Sequence, residues 1–150
     1  MKRILIIDDE LVFLTPIVHH LKKADYDVTE IDNPIKAKVQ LENISYDCII
    51  VDYSMPYMSG IELVQWLREH TNKKMKETPV LLLTGWQEMT VVRAAYDAGI
   101  NLFRTKTDLF NNPTEIIQAV EMTINLSPIH RIHNKLAVAF KRDVDNERNS

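Results

Sequence analysis

Asp8, Asp9, Asp52, Thr84 and Lys106 are the residues whose types and spacing could do chemistry. Each site follows a short run that reads as a strand. Ile4-Leu5-Ile6-Ile7 leads to Asp8-Asp9, Cys48-Ile49-Ile50-Val51 to Asp52, Val80-Leu81-Leu82-Leu83 to Thr84, and the less apolar Leu102-Phe103-Arg104-Thr105 to Lys106. Apolar runs of this length bounded by turn signals suit buried strands of a parallel sheet, where ligands collect at the carboxyl edge. Three carboxylates on one edge repel, by about 4 kcal/mol per pair at 4 Å and an effective dielectric of 20, so they call for a counter-charge. A divalent cation with oxygen ligands supplies it. Mg²⁺, or Mn²⁺ in its place, takes one or two carboxylates and shares the rest of its shell with water and phosphate. The missing partner is then a phosphoryl group. Asp52, at the centre, is a carboxylate nucleophile of the kind that forms aspartyl phosphates. The Thr84 hydroxyl can donate to one phosphoryl oxygen and the Lys106 ammonium can neutralise another, and phosphoryl transfer needs mostly such positioning.

The elements that must position these residues alternate along the chain. Leu11 to Ala24 carries Val12, Leu14, Ile17, Val18 and Leu21 at roughly helical spacing, with Pro16 tolerated only in the first turns. Tyr26 to Ile31 gives the second strand. Asp32-Asn33-Pro34 caps a helix from about Pro34 to Asn43, predicted to bury Ile35, Val39 and Leu41. Ser59-Gly60 precedes a third helix on which Ile61, Val64, Trp66 and Leu67 can share a face, and a fourth runs from Gln87 to Ala98 and stops at Gly99. A fifth follows Asn112-Pro113 through Ile116, Ile117, Val120 and Ile124. Five β-α repeats predict an α/β fold, a parallel sheet covered by helices on both faces. The predicted domain is 1–126. Residues 127–150 form a tail or linker, with a short helix over Ile129 to Phe140 and a loose charged end.

Composition narrows the function. The 150 residues are 45% hydrophobic, enough for a single core, and the net charge of −3 offers no basic field for direct nucleic-acid binding. The lone Cys48 sits in an apolar strand, which points away from disulfides and toward a reducing, cytoplasmic setting. Ile4 to Ile7 is too short for a signal peptide or membrane span, so a soluble chain is expected. The glycines are Gly60, Gly85 and Gly99, which excludes a Walker loop and a dinucleotide fingerprint. His19-His20 reads as a solvent-facing helical pair, and His130 and His133 lack a third metal ligand nearby.

The set Asp8-Asp9, Asp52 with Met55-Pro56 and Gly60, Thr84-Gly85, Ala98-Gly99 and Lys106 resembles the receiver domain of two-component response regulators over about Lys2 to Leu126. The resemblance implies a flavodoxin-like (βα)5 fold with strand order 2-1-3-4-5. It implies that Asp52 accepts a phosphoryl group from a phosphohistidine of a sensor kinase or phosphotransfer protein. By the same resemblance Asp9 and Asp52 ligate Mg²⁺ directly, Asp8 acts through water, and the Ser54 carbonyl completes the protein's share. Phe103 matches the family's switch aromatic, which turns inward as Thr84 moves, reshaping the face of the fourth helix, fifth strand and fifth helix toward an output domain or protein. A homodimer through that face is a further implication. Such a module is a switch that assists its own phosphorylation and dephosphorylation, not a turnover enzyme.

Three departures from the family pattern matter. Thr107 stands where the family usually has Pro in cis after the lysine; a cis bond to a non-proline residue costs about 3–4 kcal/mol, so either a trans bond with a rearranged loop or a strained cis bond is expected. Trp86 lies two residues after Thr84 and Ser54 two after Asp52, positions that modulate hydrolysis in this family, and the indole predicts a long-lived phosphoaspartate. Asn101-Leu102-Phe103-Arg104 replaces the acidic and aromatic pattern of winged-helix regulators, which weakens the implied dimer mode. Two alternatives stay open: an aspartyl-phosphate phosphatase of the haloacid dehalogenase type, although Asp8-Asp9-Glu10 lacks its acid spacing, and a receiver-like scaffold in which Thr107 has displaced Lys106.

Overall fold

The computed structural model describes residues 1–85 and 89–125. Five strands, β1 (Arg3–Ile7), β2 (Asp27–Ile31), β3 (Cys48–Asp52), β4 (Val80–Thr84) and β5 (Leu102–Thr105), form one sheet of order β2-β1-β3-β4-β5. All four pairings are parallel. The flavodoxin-like order that the resemblance implies is thus present. Side chains alternate across a strand, so Leu5, Ile7, Ile49, Val51 and Leu82 enter one core while Ile4, Ile6, Ile50, Leu81 and Leu83 enter the other. Both faces must therefore be covered, and right-handed crossovers place helices on each.

Among the described residues the helices are α1 (Thr15–Lys23), α2 (Pro34–Asn43), α3 (Gly60–Arg68), α4 (Lys73–Lys76), α5 (Met89–Ala98), α6 (Lys106–Asn111) and α7 (Glu115–Asn125). The first core takes Ala37 and Leu41 of α2, Leu63, Val64 and Leu67 of α3, and Ala95 of α5. The second takes Ile17, Val18 and Leu21 of α1, Leu109 of α6, and Ile116, Ala119 and Val120 of α7.

The structure corrects two expectations about helices. Leu11–Leu14 is a 3-10 turn and α1 begins only at Thr15, which puts Pro16 in its first turn, where a missing N–H costs nothing. Val12 consequently stands 75% exposed instead of entering the core. On α2, Ile35 and Val39 are 50% and 61% exposed, and the buried face is Pro34, Ala37 and Leu41. At about 100° per residue, Val39 lies about 200° round the helix from Leu41, so the two cannot share a face. Two short helices were not anticipated: α4, capped by Asn72 Oδ1 on the Met75 N–H at 3.1 Å and anchored by buried Met75, and α6, which opens at Lys106. Trp86, the first residues of the predicted fourth helix, and the tail from 126 to 150 lie outside the described residues. No helix among the described residues is long and apolar enough to cross a membrane.

Candidate functional site

Asp8 follows β1 with its N–H on the Ile31 carbonyl at 3.1 Å, and the residue is fully buried. Its Oδ1 accepts the Glu10 N–H at 2.8 Å, which turns the chain away immediately after the strand. Asp9 is exposed on that turn. Asp52 ends β3 opposite Leu83 of β4 and is 5% exposed. One carboxylate oxygen from each of Asp8, Asp9 and Asp52 lies within 4.8 Å of the others. Behind Asp52, the Gly60 N–H donates to the Tyr53 carbonyl at 2.9 Å, and a Cβ on Gly60 would collide with the Asp52 carbonyl oxygen. Only glycine lets α3 start this close to the strand end. Ser54 sits two residues past Asp52 on the exposed part of this loop.

Lys106 reaches the acids from the far edge of the sheet. Its Nζ lies 2.8 Å from Asp8 Oδ2 and 3.3 Å from Asp52 Oδ1. Among the described residues Asp8 Oδ2 has no well-aligned hydrogen-bond donor, yet at 2.8 Å the charge attraction makes the contact with Lys106 an ion pair whatever the angle. No cis peptide bond occurs among the described residues, so the Lys106–Thr107 bond is trans. The rearranged loop is the α6 helix, with Lys106 as its first residue. Thr84 ends β4 at 2% exposure, and its Oγ1 is buried without a hydrogen-bond partner among the described residues. An unpaired buried hydroxyl costs about 1–3 kcal/mol, a penalty that an incoming acceptor would remove. Phe103 on β5 is half-buried, stacked edge-on against Tyr96 of α5 at 6.2 Å between ring centroids.

The electrostatics follow from this crowding. Burial first, then the Asp8 carboxylate, push the Asp52 carboxyl up to about 6, against the pull of the Lys106 ammonium. Burial alone would lower the Lys106 ammonium, but its contacts with Asp8 and Asp52 outweigh that and raise it. Lys106 is therefore a fixed positive charge at neutral pH. Three carboxylates and one ammonium leave two negative charges around a small oxygen-lined space. The donor set of Asp8, Asp9 and Asp52 fits a hard divalent cation such as Mg²⁺.

The structure thus brings Asp8, Asp9, Asp52 and Lys106 together and places Thr84 and Phe103 on the neighbouring strands. Sequence reasoning missed the direct Asp8–Lys106 contact, because it sent the ammonium to a phosphoryl oxygen only. It also missed Thr105, whose Oγ1 accepts the Asp108 N–H at 3.2 Å and caps α6. The signal was there: Thr105-Lys106-Thr107-Asp108 has the Ser/Thr-x-x-acid spacing of a helix start.

Comparison with known proteins places the fold in one family. The transcriptional regulatory protein SrrA of Staphylococcus aureus is 27% identical over 151 residues, covering 96% of this chain. The chain spans only 59% of the length of that relative. The structure of the chemotaxis response regulator CheY4 of Vibrio cholerae superposes with a TM-score of 0.70 at 26% identity, over 80% of this chain and 98% of that one. The receiver domain of the sensor histidine kinase PA1611 of Pseudomonas aeruginosa, with a magnesium ion coordinated in its active-site cleft, shares the fold with a TM-score of 0.71 at 23% identity, over 83% and 98% of the two chains. The family model for the response regulator receiver domain matches residues 4–121, and this chain belongs to that family.

Proposed function

We propose that this receiver domain is a phosphoacceptor switch in which Asp52 takes a phosphoryl group from a phosphohistidine of a sensor kinase or phosphotransfer protein. The observation that carries the reading is the convergence of Asp8, Asp9 and Asp52 with the Lys106 ammonium on one sheet edge. An Asp52 carboxylate oxygen attacks phosphorus, the P–N bond to the donor imidazole breaks as the P–O bond forms, and the imidazole leaves with the electron pair. No base is needed, because the attacking carboxylate is already ionised at neutral pH. Bound Mg²⁺ or Mn²⁺ supplies charge neutralisation and a template for phosphoryl oxygens. Lys106 then exchanges part of its contact with Asp52 for a phosphoryl oxygen, and the Thr84 hydroxyl, unpaired among the described residues, gains an acceptor. Hydrolysis of the acyl phosphate resets the domain, so it is a signalling module and not a turnover enzyme.

The output is a change of surface. Movement of Thr84 toward the phosphoryl group opens space for Phe103 to turn inward from its stack on Tyr96, which alters the face of α5, β5 and α7. That face is the one we propose to engage an output domain or protein, or a second copy of the chain. The scaffold alternative required a displaced Lys106, and the 2.8 Å contact with Asp8 supports the phosphoacceptor reading over it.

A phosphoryl mimic tests the reading without a cognate kinase. Beryllofluoride with Mg²⁺ should give a bound ¹⁹F signal and shift the amide resonances of Thr84 and Phe103, and both effects should vanish in Asp52→Ala. A bound signal that survives Asp52→Ala, or none in the wild type, would sink it.

A further inference from the structure

We propose that Thr105 is the positioning residue for Lys106, and that its capping of α6 aims the ammonium across the sheet edge; the inference deepens the phosphoacceptor reading and rests on it. With strands about 4.8 Å apart, β5 lies three spacings, about 14 Å, from β1 and two from β3. Strand side chains stand roughly perpendicular to the sheet, so a Lys106 that simply continued β5 would project over one face. Its Nζ nevertheless touches Asp8, which follows β1, and Asp52 on β3. The chain must therefore leave the strand direction at Lys106 itself.

Thr105 makes that turn. Its backbone is extended, φ −80 and ψ 145, and pairs with Thr84 of β4, so it is still strand. Its Oγ1 accepts the Asp108 N–H at 3.2 Å, so it is already the cap of the helix, and Lys106 becomes the first helical residue through a trans peptide. Leu109, fully buried in the core that also holds Leu14 and Ile116, holds the other side of α6 down. The register with Thr84, the cap and the Leu109 anchor together fix where the lysine stem departs.

The cap can be broken while the strand is kept. Thr105→Val retains β-branching and size but removes the acceptor, and Thr105→Ser retains the acceptor. Thr107→Pro brings the chain closer to the usual family pattern, yet a residue before proline is pushed out of the helical region, so it should disrupt the helical conformation that Lys106 now has. Two readouts separate the cap from the phosphoacceptor reading. The first is the rate of Asp52 phosphorylation by acetyl phosphate at saturating Mg²⁺, expected to fall about five- to tenfold in Thr105→Val and Thr107→Pro and to stay within about twofold of wild type in Thr105→Ser. The second needs no phosphorylation: acylation of Lys106 by an N-hydroxysuccinimide ester, normalised to the exposed Lys36, read by peptide mass. Lys106 should be protected in wild type and Thr105→Ser and should lose protection in the other two, with melting curves showing that each variant is folded. Unchanged protection in folded Thr105→Val, or equal loss in Thr105→Ser, overturns the proposal. Lost protection in Thr105→Val from a wild type that takes no phosphoryl group would overturn the phosphoacceptor reading and leave the cap standing.

Discussion

The two sides of the site are built differently. Asp52 and Asp8 arrive on strands whose central residues are buried on both faces, β3 without a single exposed position. Lys106 arrives from β5, an edge strand with no fully buried residue, through a helix that begins at the lysine itself. The acids are positioned by the core, whose packing tolerates little displacement. The ammonium is positioned by one hydroxyl cap and one leucine. The acidic side is thus tied to global stability, while the basic side can be perturbed locally, and that is also the side from which the proposed switch, Thr84 and Phe103, operates.

Mutations can break this contrast from either side. The largest effect is expected at Gly60, where any Cβ meets the Asp52 carbonyl oxygen and the backbone must give way. Gly60→Ala should cost about 3 kcal/mol or more in urea unfolding and abolish phosphoryl acceptance with it. Lys106→Ala should cost less in stability, about 2–4 kcal/mol, because it strands two buried carboxylates while leaving the core intact, and added Mg²⁺ should recover part of that loss. Its phosphorylation rate should drop more than its stability accounts for.

Asp52 supplies a test with the opposite sign. Its folded pKa, about 6, lies above the 3.8 of an unperturbed carboxyl. Between these values the folded chain binds more protons than the unfolded one, so metal-free stability falls as pH rises through that window and stays lower above it. Metal-free Asp52→Asn should therefore be more stable than wild type at pH 8, by about 1–3 kcal/mol, and lose that advantage near pH 4. Mg²⁺ should reverse the ranking at pH 8. A variant less stable than wild type at both pH values would show that Asp52 is not held against its charge. The smallest effect is expected on α2, where Val39→Ser should change stability by less than about 0.5 kcal/mol, since the side chain is 61% exposed.

How much could be read from the residues follows the same division. The parallel strands and the strand-end position of Asp52 were legible because continuous apolar runs admit few alternatives to buried parallel strands, whereas the sheet order came with the family resemblance. The route of Lys106 was not, because Thr107 removed the familiar Lys-Pro pattern and left two backbone solutions open. The Thr105–Asp108 spacing would have chosen between them. The exposed Val12 and Val39 were misplaced for a related reason: hydrophobicity placed them inside, whereas Pro16 delayed one helix and the angular position of Leu41 fixed the face of the other. The contact of Lys106 with Asp8 is tertiary, across three strand spacings, and no local pattern encodes it.

The central claim is that Asp52 is the phosphoacceptor and that the neighbouring carboxylates and Lys106 serve it. Intact mass after incubation with acetyl phosphate and Mg²⁺, beside Asp52→Ala and Lys106→Ala, tests it most directly. The account predicts one added phosphoryl group in the wild type, none without Mg²⁺, none in Asp52→Ala and a strongly slowed gain in Lys106→Ala. Label that persists in Asp52→Ala, or a wild type that stays unmodified with this donor and with a histidine kinase, would contradict it.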